Sequence, residues 1–219
     1  MDDDAFERRM DEGYALEQDL NWPGAEAFYA TFRKDGALRR DQAAEVTVRH
    51  ANALMLLRRW DDARAEFDAA LDAAKGADNP IVLARALIGA GAFAASRNDF
   101  ARGEEFLLAA LESFHAVHDK DGLAGEGWAL VNLAAIYGRT KRLDISFLTF
   151  EKARERLFKV EDWIGVATAW ELQAQLREFL GDRDRMADDY HEAMAFYAKK
   201  GMSAKVDEIR ARLGGKRVV

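Results

Sequence analysis

The stretch from residue 80 to residue 118 shows the hydrophobic pattern that the rest of the chain repeats. Apolar or small residues recur at three- and four-residue steps, which places them on one side of an α-helix and does not fit the alternation of a strand. In the first half these positions are Ile81, Ala84, Leu87, Ile88 and Gly91. In the second half they are Gly103, Phe106, Leu107, Ala110, Leu111 and Phe114. The pattern predicts a hairpin of two amphipathic helices, which needs a neighbour on each side to bury its apolar faces.

The second helix carries a triplet that recurs along the chain. A small residue is followed by a bulky residue four positions later and by a small residue three positions after that. The copies, some of them looser, are Gly103, Leu107, Ala110; Ala63, Phe67, Ala70; Ser146, Phe150, Ala153; Met186, Tyr190, Ala193; and Ala25, Tyr29, Phe32. The first helices share one small residue: Gly13, Ala51, Gly91, Ala134 and Ala174. Matching positions lie about forty residues apart, which is typical of an array of helical hairpins.

This pattern resembles the tetratricopeptide repeat (TPR) family in its longer form of about forty residues. In the fourth repeat the large, large, small and aromatic positions of that family are Leu130, Leu133, Ala134 and Tyr137. The resemblance implies an all-α fold, an α-α superhelix (TPR-like solenoid) of about five helical hairpins plus a C-terminal capping helix. The predicted repeats cover residues 4–33, 41–75, 79–118, 122–160 and 162–199, with the capping helix at 203–213. We expect one domain over residues 1–219. His50 and Gln173 depart from the pattern, since a leucine-like residue is usual there.

Composition and charge limit the classes of function that the chain can have. The chain has 219 residues, of which 49% are hydrophobic, and it has no cysteine, so disulfide and thiol chemistry are excluded. The net charge is -7 with both signs interspersed, and we expect no nucleic-acid partner because phosphate binding needs a concentrated basic face. The N-terminus MDDDAFERRM is acidic and no apolar run reaches the ~20 residues that span a bilayer, so we expect no membrane partner and a cytoplasmic location. The basic tail GGKRVV is expected to be a frayed end.

Candidate catalytic and metal-binding residues are few. His115 and His118 lie three residues apart near Glu112, but two or three ligands on one helical turn do not close a tetrahedral metal site. His191 begins a sequence like a zinc-protease helix, yet Ala195 stands where the second histidine must be. The chain has no glycine-rich phosphate loop and no nucleophile elbow. We therefore predict a protein that is not an enzyme and that has no cofactor and no metal site.

A binding groove is the remaining candidate site. In the TPR family the first helices line a concave groove that holds a peptide or protein segment. The resemblance assigns that role to Asn52, Met55, Arg85, Ile88, Trp128, Val131, Asn132, Arg139 and Gln175. Amide side chains offer both a donor and an acceptor to a peptide backbone. As alternatives, Trp128 plugs the seam between the third and fourth repeats, and Asn52 and Asn132 are merely solvated.

The sequence thus predicts a scaffold that binds a protein or peptide partner in the groove without catalysis, as a monomer or weak homo-oligomer. A first alternative is a ligand-sensing regulatory module that responds to a peptide or small molecule and acts on a separate output protein. A second alternative is a self-assembling scaffold. A lysine clamp for a C-terminal carboxylate is not expected, because Val48, Ile88 and Val131 hold the positions where its lysine would stand.

Overall fold

The computed structural model describes residues 1–76 and 79–214, which form α-helices and contain no strand. The helices are α1 (Asp3–Gln18), α2 (Trp22–Phe32), α3 (Arg40–Leu56), α4 (Trp60–Lys75), α5 (Pro80–Ser96), α6 (Phe100–His115), α7 (Lys120–Arg139), α8 (Leu143–Lys159), α9 (Trp163–Leu180), α10 (Arg183–Lys199) and α11 (Ser203–Gly214). The predicted all-α fold of five helical hairpins and a final capping helix is confirmed. The end of the basic tail, and part of the turn expected at residues 76–80, lie outside the described residues.

The chain divides into two compact units, Met1–Phe114 and His115–Val219. The first unit holds the hairpins α1–α2, α3–α4 and α5–α6, and the second holds α7–α8, α9–α10 and the final helix α11. Within each unit a hairpin packs against the next one, as α4 does against α5 and α8 against α9. The single domain expected from the sequence remains a prediction.

Side-chain caps begin several of the helices. At the start of α5, the Asn79 side chain accepts a hydrogen bond from the Ile81 amide at 3.0 Å, and Pro80 is the first helical residue. Asp162 accepts from the Gly165 amide at 2.9 Å at the start of α9. These caps satisfy amides that the first helical turn leaves without an intrahelical partner.

One turn geometry recurs inside all five hairpins. A residue with positive φ follows the first helix in each of them: Leu20, Arg58, Asn98, Lys141 and Gly181. The next amide then bonds back to the carbonyl five residues earlier, as in Arg59 to Leu54 at 2.9 Å and Asp182 to Arg177 at 3.0 Å. This closes the helix end with the pattern of a Schellman motif and turns the chain into the second helix.

The predicted small and bulky residues are the places where the two helices of a hairpin meet. A Cβ atom at Gly91 would lie 2.8 Å from Cγ of Leu107, so the two helices can approach this closely only because residue 91 has no side chain. In the fourth hairpin the buried Ser146 hydroxyl donates a hydrogen bond to the Ala134 carbonyl at 2.7 Å. One side of each first helix is therefore buried against its own second helix.

Two buried polar side chains interrupt the apolar packing at one position of the repeat. His50 and Gln173 each precede the small residue of their first helix, and they are 6% and 3% exposed. Gln173 accepts from Arg154 Nη1 and donates to Asp189 Oδ2, both at 2.9 Å. His50 Nε2 and Nδ1 each lie 3.5 Å from a carboxylate oxygen, of Glu26 and Glu66 respectively, and Nδ1 makes no hydrogen bond among the described residues. The same position thus carries a well-bonded amide in one unit and a poorly bonded imidazole in the other.

Candidate functional site

One side of every first helix remains open in both units. The open side consists of four positions, which are counted from the small residue of each first helix: six before it, two before it, one after it and five after it. Together they span about 60° of the helix circumference. All of them are at least partly exposed except Gly89. In the first unit they form what we call the first-unit face: Glu7, Asp11, Tyr14, Gln18, Glu45, Arg49, Asn52, Leu56, Arg85, Gly89, Ala92 and Ser96. The second-unit face consists of Trp128, Asn132, Ala135, Arg139, Thr168, Leu172, Gln175 and Phe179.

Most of the residues predicted for the groove lie on these faces. They are Asn52, Arg85, Trp128, Asn132, Arg139 and Gln175. Met55, Ile88 and Val131 do not lie on these faces. They stand three positions before or four positions after the small residue, on the side of the helix that faces the next helix pair. Val131 is 1% exposed within the second-unit core, so its prediction as a contact residue is wrong. Met55 packs against the first-unit core, and Ile88 is half-buried at the same repeat position as Val131.

Contacts between neighbouring first helices organise the first-unit face. Arg85 Nη1 of α5 lies 3.1 Å from Glu45 Oε1 of α3. The guanidinium of Arg49 lies 4.7 Å from the ring centroid of Tyr14 on α1, and its Nη1 is 3.2 Å from Glu17 Oε2. Sequence reasoning missed Tyr14, Glu45 and Arg49. They could have been found from the sequence, because they stand at the same repeat positions as the residues predicted for the groove. That correspondence appears only when the first helices are aligned on the small residue.

The first-unit face carries more negative than positive side chains. Partial burial raises the pKa of Glu7, the nearby carboxylates of Glu45 and Asp11 raise it further, and Arg85 opposes that change. Burial also raises the pKa of Tyr14, although Arg49 opposes that change. Neither Glu7 nor Asp11 has an ion-pair partner among the described residues.

The second-unit face is less charged, and its tryptophan is anchored. Trp128 Nε1 donates to Asp162 Oδ2 at 2.8 Å, and the ring packs against the second-unit core. Trp128 therefore contacts the start of the fifth repeat, and the seam between the third and fourth repeats in which the sequence alternative placed it remains a prediction. Asn132 donates to the Trp128 carbonyl at 2.9 Å, and Gln175 donates to Glu171 at 3.3 Å. One donor of each amide is thus used within the chain.

An exposed phenylalanine lies at one end of the second-unit face. Phe179 is 74% exposed at the C-terminal end of α9, and the half-buried Leu172 lies on the same side two helical turns earlier. Sequence reasoning missed both residues. An aromatic side chain this exposed, on a face that is otherwise open, is a candidate contact for a partner.

The capping helix covers the next side of α9. Lys205 Nζ lies 3.0 Å from Glu171 Oε1, and Arg212 Nε lies 3.0 Å from Glu178 Oε2. The Tyr197 hydroxyl also donates to Glu171 at 2.7 Å. Glu171 and Glu178 are therefore bound to α11 and are not part of the open face.

No group of three or more histidine, aspartate or glutamate side chains suited to a metal ion is present in the part of the chain that the structure describes. In that same part no helix is long and apolar enough to cross a membrane. The absence of catalysis, of a cofactor and of a metal remain predictions.

No family model and no curated protein matches the chain. Among solved structures, the chain is similar to Bacillus thuringiensis PlcR in complex with the peptide PapR7 and DNA, with a TM-score of 0.77 and 13% identity over 94% of this chain and 74% of that chain. It is also similar to BtubC (BKLC) from P. vanneervenii, with a TM-score of 0.59 and 16% identity over 97% of this chain and 82% of that chain. These likenesses show an all-helical repeat fold. Membership of the TPR family itself remains a prediction.

The comparison corrects one expectation about partners. We expected no nucleic-acid partner, on the ground of a net charge of -7 without a concentrated basic face. The similar PlcR structure contains DNA as well as a peptide, so a protein with this fold does bind DNA and the exclusion is wrong. Net charge describes the average of the whole chain, whereas DNA binding depends on a local surface.

Proposed function

We propose that the chain is a helical-repeat module that binds a peptide or protein segment on its first-helix faces and performs no catalysis. The observation that carries the proposal is the open side of the first helices, which recurs at the same four positions in both units. Buried positions elsewhere on these helices hold the fold together. The open positions are therefore available to a partner.

The residue types on these faces suit an extended segment. Ala92 and Ala135 are small enough to let a peptide backbone approach, and Asn52 and Gln175 carry amide groups that can bond to it. Each such bond contributes a net ~0.5 to ~1.5 kcal/mol, so specificity requires additional contacts with larger or charged side chains. Arg85, Arg139 and Phe179 are among the large exposed residues of these faces. The similar PlcR structure, which contains the peptide PapR7, supports a peptide as the ligand class.

Selection and mutagenesis test this proposal. A display library of random short peptides is selected on the full chain, and the affinities of the selected peptides are measured by fluorescence anisotropy. We expect Asn52→Ala and Gln175→Ala to weaken binding of peptides that use their respective units. The matched control is Arg64→Ala, which changes an exposed residue of the second helix α4. Selected peptides that bind all three variants as tightly as the unchanged protein would refute the proposal.

A ligand-sensing regulatory module is the second candidate function. It is favoured by the presence of both a peptide and DNA in the similar PlcR structure. In this case peptide binding changes the interaction with a separate output partner. Small-angle scattering with and without a selected peptide measures the expected change in compactness, and an unchanged scattering curve would count against this candidate. The cytoplasmic location expected from the sequence remains a prediction.

A further inference from the structure

We propose that the first-unit face binds a protein segment that carries lysine or arginine side chains next to an apolar residue. This inference rests on the proposed function and specifies the chemistry of the ligand at one of the two faces. Its basis is the way charge is distributed and paired on α1, α3 and α5.

The face is divided into a charged half and an uncharged half. The positions six and two before the small residue carry all of its charges: Glu7, Asp11, Glu45, Arg49 and Arg85. The positions one and five after it carry none: Tyr14, Gln18, Asn52, Leu56, Ala92 and Ser96. A ligand that lies along these helices therefore meets ionised groups at one end and an uncharged surface at the other.

The positive charges of this face are already engaged. Arg85 is paired with Glu45 at 3.1 Å, and Arg49 is paired with Glu17 at 3.2 Å while it also covers the ring of Tyr14. An acidic ligand would have to compete with these internal carboxylates for both guanidinium groups. The surface is therefore poorly suited to a segment rich in aspartate or glutamate.

The negative charges are in excess. Glu7 and Asp11 lie one helical turn apart on the same side of α1, and neither has an ion-pair partner among the described residues. The carboxylates of Glu45 and Asp11 repel that of Glu7, whereas Arg85 attracts it. A lysine or arginine side chain placed between these groups relieves that repulsion, so charge complementarity selects a basic segment.

The uncharged half indicates which residue type accompanies the basic one in the ligand. Leu56 is 48% exposed at the end of α3, and Tyr14 and Asn52 are half-buried at the position one turn before it in the repeat. An apolar side chain of the ligand can cover Leu56 while the amide of Asn52 bonds to its backbone. The fitting partner thus carries a basic residue at one end and an apolar residue at the other.

Two measurements on the full chain test this inference. Peptides are selected from a random display library on the unchanged protein, and we expect lysine and arginine to be enriched over the input library. The paired substitution Glu7→Gln with Asp11→Asn should then weaken the selected peptides about three- to tenfold and reduce the salt dependence of binding. The matched control is Asp61→Asn with Asp68→Asn, which removes the same charge from exposed positions of α4. Circular dichroism checks that both double variants remain folded.

The outcomes separate this inference from the proposed function. If peptides bind and are weakened by Asn52→Ala but are not basic and do not respond to the loss of Glu7 and Asp11, the charge inference is wrong and the peptide-binding face stands. If the selected peptides are acidic, or a DNA duplex binds more tightly when Glu7 and Asp11 are neutralised, the charge inference is also wrong. If no selected peptide responds to any substitution on the first-helix faces, both proposals fail.

Discussion

His50 and Gln173 occupy the same position of their repeats, and we predict that replacing each with leucine changes stability in opposite directions. Leucine is the residue type that the repeat pattern favours at this position. Gln173→Leu removes the acceptor of Arg154 and the donor to Asp189, both at 2.9 Å, from a site that is 3% exposed. His50→Leu removes two long contacts of 3.5 Å, from Nε2 to Glu26 and from Nδ1 to Glu66, of which only the first is a hydrogen bond.

The expected magnitudes are set by these contacts. Hydrogen bonds to charged groups contribute about 1.5 to 3 kcal/mol each, so Gln173→Leu should lower the free energy of unfolding by about 2 to 4 kcal/mol after the gain from the apolar side chain. The two carboxylates beside His50 keep their arginine partners, since Glu26 lies 3.0 Å from Arg59 and Glu66 lies 2.7 Å from Arg33. Replacement of this poorly bonded imidazole by leucine should therefore leave the free energy of unfolding unchanged or raise it by about 1 kcal/mol.

Urea unfolding followed by circular dichroism measures both free energies. The matched substitutions His50→Gln and Gln173→His keep a polar side chain at each position and change its shape and its hydrogen-bonding groups. If His50→Leu lost as much stability as Gln173→Leu, the imidazole would be making stronger interactions than its 3.5 Å contact allows. Hydrogen-bond geometry would then fail to account for stability at this position of the repeat.

Three further predictions concern packing and charge. Gly91→Ala should cost about 1 to 3 kcal/mol of unfolding free energy, seen as a lower urea midpoint, because the new Cβ would lie 2.8 Å from Leu107. Trp128→Phe should cost about 1 kcal/mol through loss of the 2.8 Å bond to the carboxylate before α9, whereas an unchanged midpoint would show the bond to be unimportant. Burial lowers the pKa of Lys205, but Glu171 and Glu208 together raise it more, and the net change is upward. The stability from these ion pairs is therefore present at neutral pH and lost as pH rises through the raised pKa, so the advantage over Lys205→Met should shrink in alkaline urea titrations.

The sequence predicted the hairpins because their packing is encoded locally. A small residue such as Gly91 and a bulky one such as Leu107 occupy fixed steps on their helices, and each hairpin closes through that contact. The division into two compact units has no such local signal. The turns were also hard to predict, since only Asn98 and Gly181 among the five positive-φ residues of the hairpin turns are of types that favour this conformation.

The candidate site was harder to predict than the fold. Whether a first-helix residue is open or buried depends on the next helix pair, which packs on a side of the helix centred about 80° from the open positions. Val131 and Asn132 are adjacent in sequence, yet the first is in the core and the second is on the face. The ion pair between Arg85 and Glu45 joins two repeats, so no single repeat reveals it.

The recurring turn has a consequence for which substitutions this protein can tolerate. Three of its five copies hold a residue other than glycine or asparagine in the left-handed conformation, which is costly for such residues: Leu20, Arg58 and Lys141. Glycine at these sites would relieve that cost within the turn, away from the four open positions of the first helices. Stability lost through substitutions on the first-helix faces can therefore be restored by substitutions in the turns, which leave those faces unchanged.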